Sequence, residues 1–129
     1  MAIAASALKA QQARMRVIAE NIANADSIAT VAGGDPYRRQ SPVFEPAKVA
    51  PGVTGVAMTG VKPDPTPFRS EYNPGSPAAD AKGYVKMPNI DALTEAMDMR
   101  EASRAYQANL NVIENQRNMD SRTLDIIKK

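Results

Sequence analysis

The chain has 129 residues, 43% of them hydrophobic, with only six aromatic side chains and a net charge of +2. With no Cys and no His, it can build no disulfide, zinc finger, Cys nucleophile or Ser-His-Asp triad. Scarce aromatics argue against a large independent core, balanced charge against general attraction to nucleic acid or anionic lipid, and no apolar run nears the ~20 residues that cross a bilayer.

Pro and Gly divide the chain. All ten Pro lie between Pro36 and Pro88 and all seven Gly between Gly33 and Gly83. Because these residues break helices most strongly, the sequence predicts a helix over 1–32, a Pro/Gly-rich middle with short strands over 33–88, and a helix over 89–129. The expected fold class is mainly α with a small β element, the long terminal helices pairing as a coiled coil.

In the first segment Met1, Leu8, Met15 and Ile22 repeat every seven residues, with Ala4, Ile18 and Ala25 in the companion row and Gln11 interrupting it. That is the a/d seam of a coiled coil. Lys9 sits where a signal peptide would need apolar residues, so no cleaved signal is expected. Lys9, Arg14 and Arg16 are offset by Glu20 and Asp26, which weakens a membrane-surface reading. Asn24, Asp26 and Ser27 lower helix propensity before Gly33-Gly34 stops the helix.

In the middle, Val53 to Val61 is rich in β-branched residues and predicts a strand; Tyr37–Gln40, Phe68–Tyr72 and Tyr84–Met87 are shorter candidates. Residues 62–67 read as a stiff extended connector, and Asn73-Pro74-Gly75 as a turn. Arg38-Arg39 fits an acidic neighbour within or between subunits better than a lipid headgroup.

The last segment has Asn89 or Asp91 as candidate N-cap. Met99, Tyr106, Ile113 and Ile127 form one heptad row, broken at Asp120. Ala96, Ser103, Leu110 and Leu124 form the other, broken at Arg117. Asp91, Glu95 and Asp98 share a face and read as a solvated first turn that complements the helix dipole, rather than as metal ligands; Lys128 and Lys129 suit the opposite end. The breaks in both seams weaken an isolated helix pair and leave surface for further partners.

Asn21-Ile22-Ala23-Asn24-Ala25 resembles the motif that closes the N-terminal helix of flagellar axial proteins. Three further segments are similar to the proximal-rod, FlgC-type family in particular. They are Gly34-Asp35-Pro36-Tyr37-Arg38-Arg39, then Tyr72-Asn73-Pro74-Gly75-Ser76-Pro77 through Gly83-Tyr84-Val85 to Asn89, then Met97-Asp98-Met99 with Ala102 to Asn109. Members usually carry a few more residues before the first helix and often His where this chain has Ser76. The resemblance implies a structural subunit of the periplasmic rod of the basal body, exported by the flagellar type III system without a cleaved signal. It implies helical assembly with itself, with rod proteins FlgB, FlgF and FlgG, and with the rod-base adaptor FliE and the MS ring. No cofactor, metal, nucleic acid, membrane insertion or catalysis is implied. The motif and the stripes together give the expected interface residues. On the first helix these are Leu8, Met15, Ile18, Asn21, Ile22 and Asn24, followed by Arg38 and Arg39. On the second they are Met99, Arg104, Tyr106, Asn109, Leu110 and Ile113. Another axial subunit, or a helical adaptor or membrane-surface module, is the alternative reading.

Overall fold

The structure is a computed structural model that describes residues 1–128. Lys129, read above as part of the helix terminus, lies outside the described residues, as does the side chain of Lys128. In chain order the elements are α1 (Ala2–Ala23), β1 (Gln40–Ala50), β2 (Val53–Pro63), β3 (Arg69–Tyr72), β4 (Tyr84–Met87) and α2 (Ala92–Lys128). β1 pairs antiparallel with β2, and β3 antiparallel with β4, as two separate two-stranded sheets.

The expectation of a mainly α chain with a small β element is overturned. Helix accounts for 46% and strand for 24%, and the middle contains a hairpin with two 11-residue arms. β1 is the strand that sequence reasoning lost, because Pro42 and Pro46 read as breakers. In a two-stranded ribbon each strand has an outer edge, and proline is tolerated when its missing N–H faces that edge. The Pro46–Val56 pairing shows this: the Val56 N–H is bonded not across the ribbon but outward, to Ser6 Oγ of α1 at 3.2 Å. Lys62 and Pro63, assigned to the connector, instead finish β2. Gly52 makes the tip turn with φ of 72°, a left-handed conformation that side chains disfavour.

α1 stops at Ala23 because Asn24 turns its amide back, Nδ2 donating to the Glu20 carbonyl at 2.8 Å, while Ser27 Oγ donates to Asn24 Oδ1 at 3.0 Å. α2 is capped by Asp91, whose Oδ1 accepts from Leu93 N at 3.0 Å; Asn89 has a different task, described below.

α1 lies between two partners. Along one side runs α2, antiparallel to it, with Leu8 near Leu110 and Ile113, and Arg14 paired to Glu101 at 3.5 Å. Along the other side runs the β1–β2 hairpin. Its base meets Asn21 and its tip half meets Ser6. The deepest residues of α1 are therefore Ser6, Ala10, Val17, Ile18 and Asn21 rather than the Leu8–Met15–Ile22 row. At Gly55 the approach is so close that an added Cβ would collide with Ser6 Oγ. Ala78, Val85 of β4 and Ile90 are also buried. At 1.5 Å per residue α2 is about 55 Å long and α1 about 33 Å, so α2 projects well past the start of α1.

Candidate assembly interface

Two polar networks fix the base of the hairpin. Asn21, 1% exposed, reads the backbone of Gln40 as a neighbouring strand would. Its Nδ2 donates to the Gln40 carbonyl at 2.8 Å and its Oδ1 accepts from Gln40 N at 3.0 Å, with Tyr37 OH donating to the same oxygen at 3.3 Å. Burial pushes the Tyr37 hydroxyl pKa up, and the nearby charges of Glu20 and Glu95 push it the same way.

Arg39 is the second hub. Its guanidinium binds Glu95 through Nε, Asp64 Oδ2 and Ser41 Oγ through one terminal nitrogen at 3.2 and 2.9 Å, and Asp98 through the other at 3.6 Å. Burial works against its charge, but the Glu95 and Asp64 partners outweigh it and the pKa rises. Asp64 is held below the usual carboxylate range, first by the backbone and then by the side chain of Thr66, with Arg39 adding to both. Asn89 joins the hub, accepting from Arg39 N at 2.8 Å and donating to Thr66 Oγ1 at 3.0 Å. Arg38 donates to the Asp64 and Thr66 carbonyls at 2.7 and 3.0 Å and lies 4.1 Å from the Phe68 ring centroid.

The solvated reading of Asp91, Glu95 and Asp98 is therefore corrected at its centre. Glu95 is 1% exposed, with Oε1 on Arg39 and Oε2 buried without a partner. Sequence spacing could not show this, because Arg39 arrives from 56 residues away.

The residues expected at an interface fall into two groups. Asn21, Asn24, Arg38 and Arg39 have their polar atoms engaged inside the chain, and Ile18 is buried. Leu8, Met15, Met99, Tyr106, Asn109, Leu110 and Ile113 are half-buried along the helix pair, whereas Ile22 and Arg104 are exposed. Asn109 Nδ2 donates to the Ala105 carbonyl of its own helix at 3.0 Å. Sequence reasoning placed Leu124 and Ile127 in the heptad rows without naming them as interface residues. Beyond Arg117, which lines a groove shared with Met1, the seam continues through Asp120, Leu124 and Ile127 with no facing helix among the described residues. Leu124 is 56% and Ile127 74% exposed. The signal was present in the heptad rows, which run on past the length of α1. Among the described residues no helix is long and apolar enough to cross a membrane.

Comparison with known proteins fits this geometry. The family model for flagella basal body rod proteins matches residues 1–27, and that for the C-terminal region of flagellar basal body rod FlgEFG proteins matches residues 81–126. The chain is 46% identical to the flagellar basal-body rod protein FlgC of Agrobacterium fabrum, covering 98% of this chain and 91% of the relative. The chain belongs to the FlgC family of flagellar basal-body rod proteins. The FlgC of Escherichia coli O6:H1 is 46% identical over 96% of this chain and 92% of its own, and that of Borreliella burgdorferi 36% over 98% and 94%. As a FlgC-family protein the chain is a structural subunit of the flagellar basal-body rod. The family models fall on α1 and α2, the elements that carry unpartnered surface, and FlgC relatives extend the similarity through the hairpin between them.

Proposed function

We propose that this chain is a proximal-rod subunit that polymerises with related rod proteins into the shaft carrying torque across the periplasm. The observation that carries the reading is the apolar seam of α2 continuing through Leu124 and Ile127 beyond its intrachain partner. A surface of that kind is stable in water only when another helix covers it. Contacts that repeat without closing give an open helical assembly, and stiffness then comes from many small packing contacts rather than one site.

Ile22, Arg104 and the half-buried row Leu8, Met15, Met99, Tyr106, Leu110 and Ile113 are the residues offered to neighbouring subunits. The neighbours are FlgB, FlgF and FlgG, with FliE and the MS ring at the base. Export runs through the flagellar type III system. The role is structural and not enzymatic, since the charged clusters serve as intrachain braces.

Electron microscopy of basal bodies from a strain lacking the gene tests this. The expected result is inner-membrane rings without a completed rod, restored by supplying the chain. Complete basal bodies and hooks in the deletion strain would overturn it, and the helices would be those of an adaptor.

A further inference from the structure

The β1–β2 hairpin is held to the rest of the chain unevenly. Its base, residues 40–43 and 60–63, is fixed by Asn21 on the Gln40 backbone and by the Arg39 hub beside it. Its outer half, residues 44–58, makes one hydrogen bond to the helices among the described residues, from Val56 N to Ser6 Oγ at 3.2 Å. The Ser6 hydroxyl is turned to accept it, because its own proton goes to the Ile3 carbonyl at 2.8 Å. Ser6 lines two cavities. One, of about 430 Å³, is also lined by Ala10, Ala13 and Ala47; the other, of about 300 Å³, by Ala2, Ala5 and Val49. Neither strand contributes a fully buried residue. Small side chains and open space therefore back the outer half, where the base has a buried polar network.

The two halves meet at a weak point in the ribbon. Val43 pairs with Gly60 but Phe44 pairs with Met58, so Thr59 is an extra residue on β2. Such a bulge interrupts the ladder and bends the strand that carries it. Gly60 stands next to it with nothing within 4 Å of where a Cβ would be. No side chain braces the ribbon there, and a glycine inside a strand weakens it further. Beyond the bulge the ribbon is sound, with Phe44 to Lys48 paired without a break to Met58 to Thr54.

We propose that the outer half of the hairpin is a hinged arm. It swings off α1 as an intact ribbon about Thr59 and Gly60, and the Ser6–Val56 bond is its clasp. The base stays on the hub throughout. Opening uncovers mainly alanine side chains, which have little apolar area to lose, and one backbone N–H that water in the adjoining cavity can satisfy. Nothing in this motion depends on the rod assignment. In an assembly the arm lets one chain meet neighbours at more than one angle without disturbing its polar core.

Spin-label distances on the purified full chain test the hinge, since a chain without Cys accepts a label pair cleanly. Asn115, Lys48 and Lys62 are exposed and serve as label sites. Asn115→Cys on α2 with Lys48→Cys in the arm should read two distances. Adding Ser6→Ala removes one hydrogen bond and should raise the fraction at the longer distance about fivefold. Adding Gly60→Ala should lower it, because the methyl group enters open space and stiffens the strand. Asn115→Cys with Lys62→Cys at the base should read one distance in every chain. Hydrogen-bonded and outward positions alternate along an antiparallel pair, so the Ala57 N–H points across the ribbon and should keep its exchange protection when Ser6→Ala releases Val56. A single arm distance unmoved by Ser6→Ala overturns the hinge. A base distance that spreads with the arm distance also overturns it, as does loss of protection at Ala57 together with Val56, because the hairpin then loosens or frays instead of swinging.

Discussion

The base of the hairpin and the outer end of α2 are built on opposite terms. At the base, Asn21, Arg39, Asp64, Asn89 and Glu95 bring together four stretches of sequence, and nearly every polar atom finds a partner within the chain. At the outer end, Leu124 and Ile127 stand in solvent and the described chain offers them nothing. The difference separates two jobs. Polar, directional contacts set one orientation of the hairpin against the helices, whereas apolar surface held open is available to another subunit.

Removing Arg39 should have the largest effect on the chain itself. Arg39→Ala leaves Glu95 buried with no counter-charge, which costs about 3–5 kcal/mol, read as a lower urea midpoint with the slope unchanged. Replacing Arg39 and Glu95 together by Met and Leu should recover much of that loss; if it does not, the hub supplies more than charge neutralisation. Asn21→Ala strands the Gln40 N–H and carbonyl and should cost about 2 kcal/mol, with faster hydrogen exchange at Gln40. Gly55→Ala puts a methyl group against Ser6 and should cost about 1–3 kcal/mol, felt in the hairpin and not in the outer part of α2.

A smaller effect should appear in acid. The Asp64 pKa is depressed in the folded chain, so its contribution is present above the ordinary carboxylate value and is lost as pH falls through the folded one. Asp64→Asn should therefore flatten the loss of stability below about pH 4, measured as urea midpoints across that range. Leu124→Ser with Ile127→Ser should have the smallest effect on the free chain, within about 0.5 kcal/mol, because both side chains are largely exposed. A large fall in midpoint there would erase the contrast between the two regions.

Much of the architecture was legible in the sequence. The confinement of Pro and Gly to the middle marks both helices, and β2, β3 and β4 announce themselves by β-branched or aromatic composition. β1 did not, because Pro42 and Pro46 signal breaks unless the strand is known to have a free edge. The end of α1 was set too late, since Asn24 caps the helix before the Gly pair is reached. The family motif drew attention to Asn21 and Arg39 without disclosing that both close the hairpin onto the helices. Glu95 gave no signal at all. Its burial follows from an arginine 56 residues distant, and spacing within one helix carries no trace of such a partner. The outer seam of α2 was visible as a heptad continuation, but its meaning depends on how far α1 reaches.

The most direct measurement is electron microscopy of basal bodies from the deletion strain supplied with the Leu124→Ser, Ile127→Ser chain beside the wild-type chain. The wild-type chain should restore completed rods, and the variant, though as stable in urea, should leave inner-membrane rings without them. Completed rods in both would show that the open end of α2 is not where this subunit meets its neighbours.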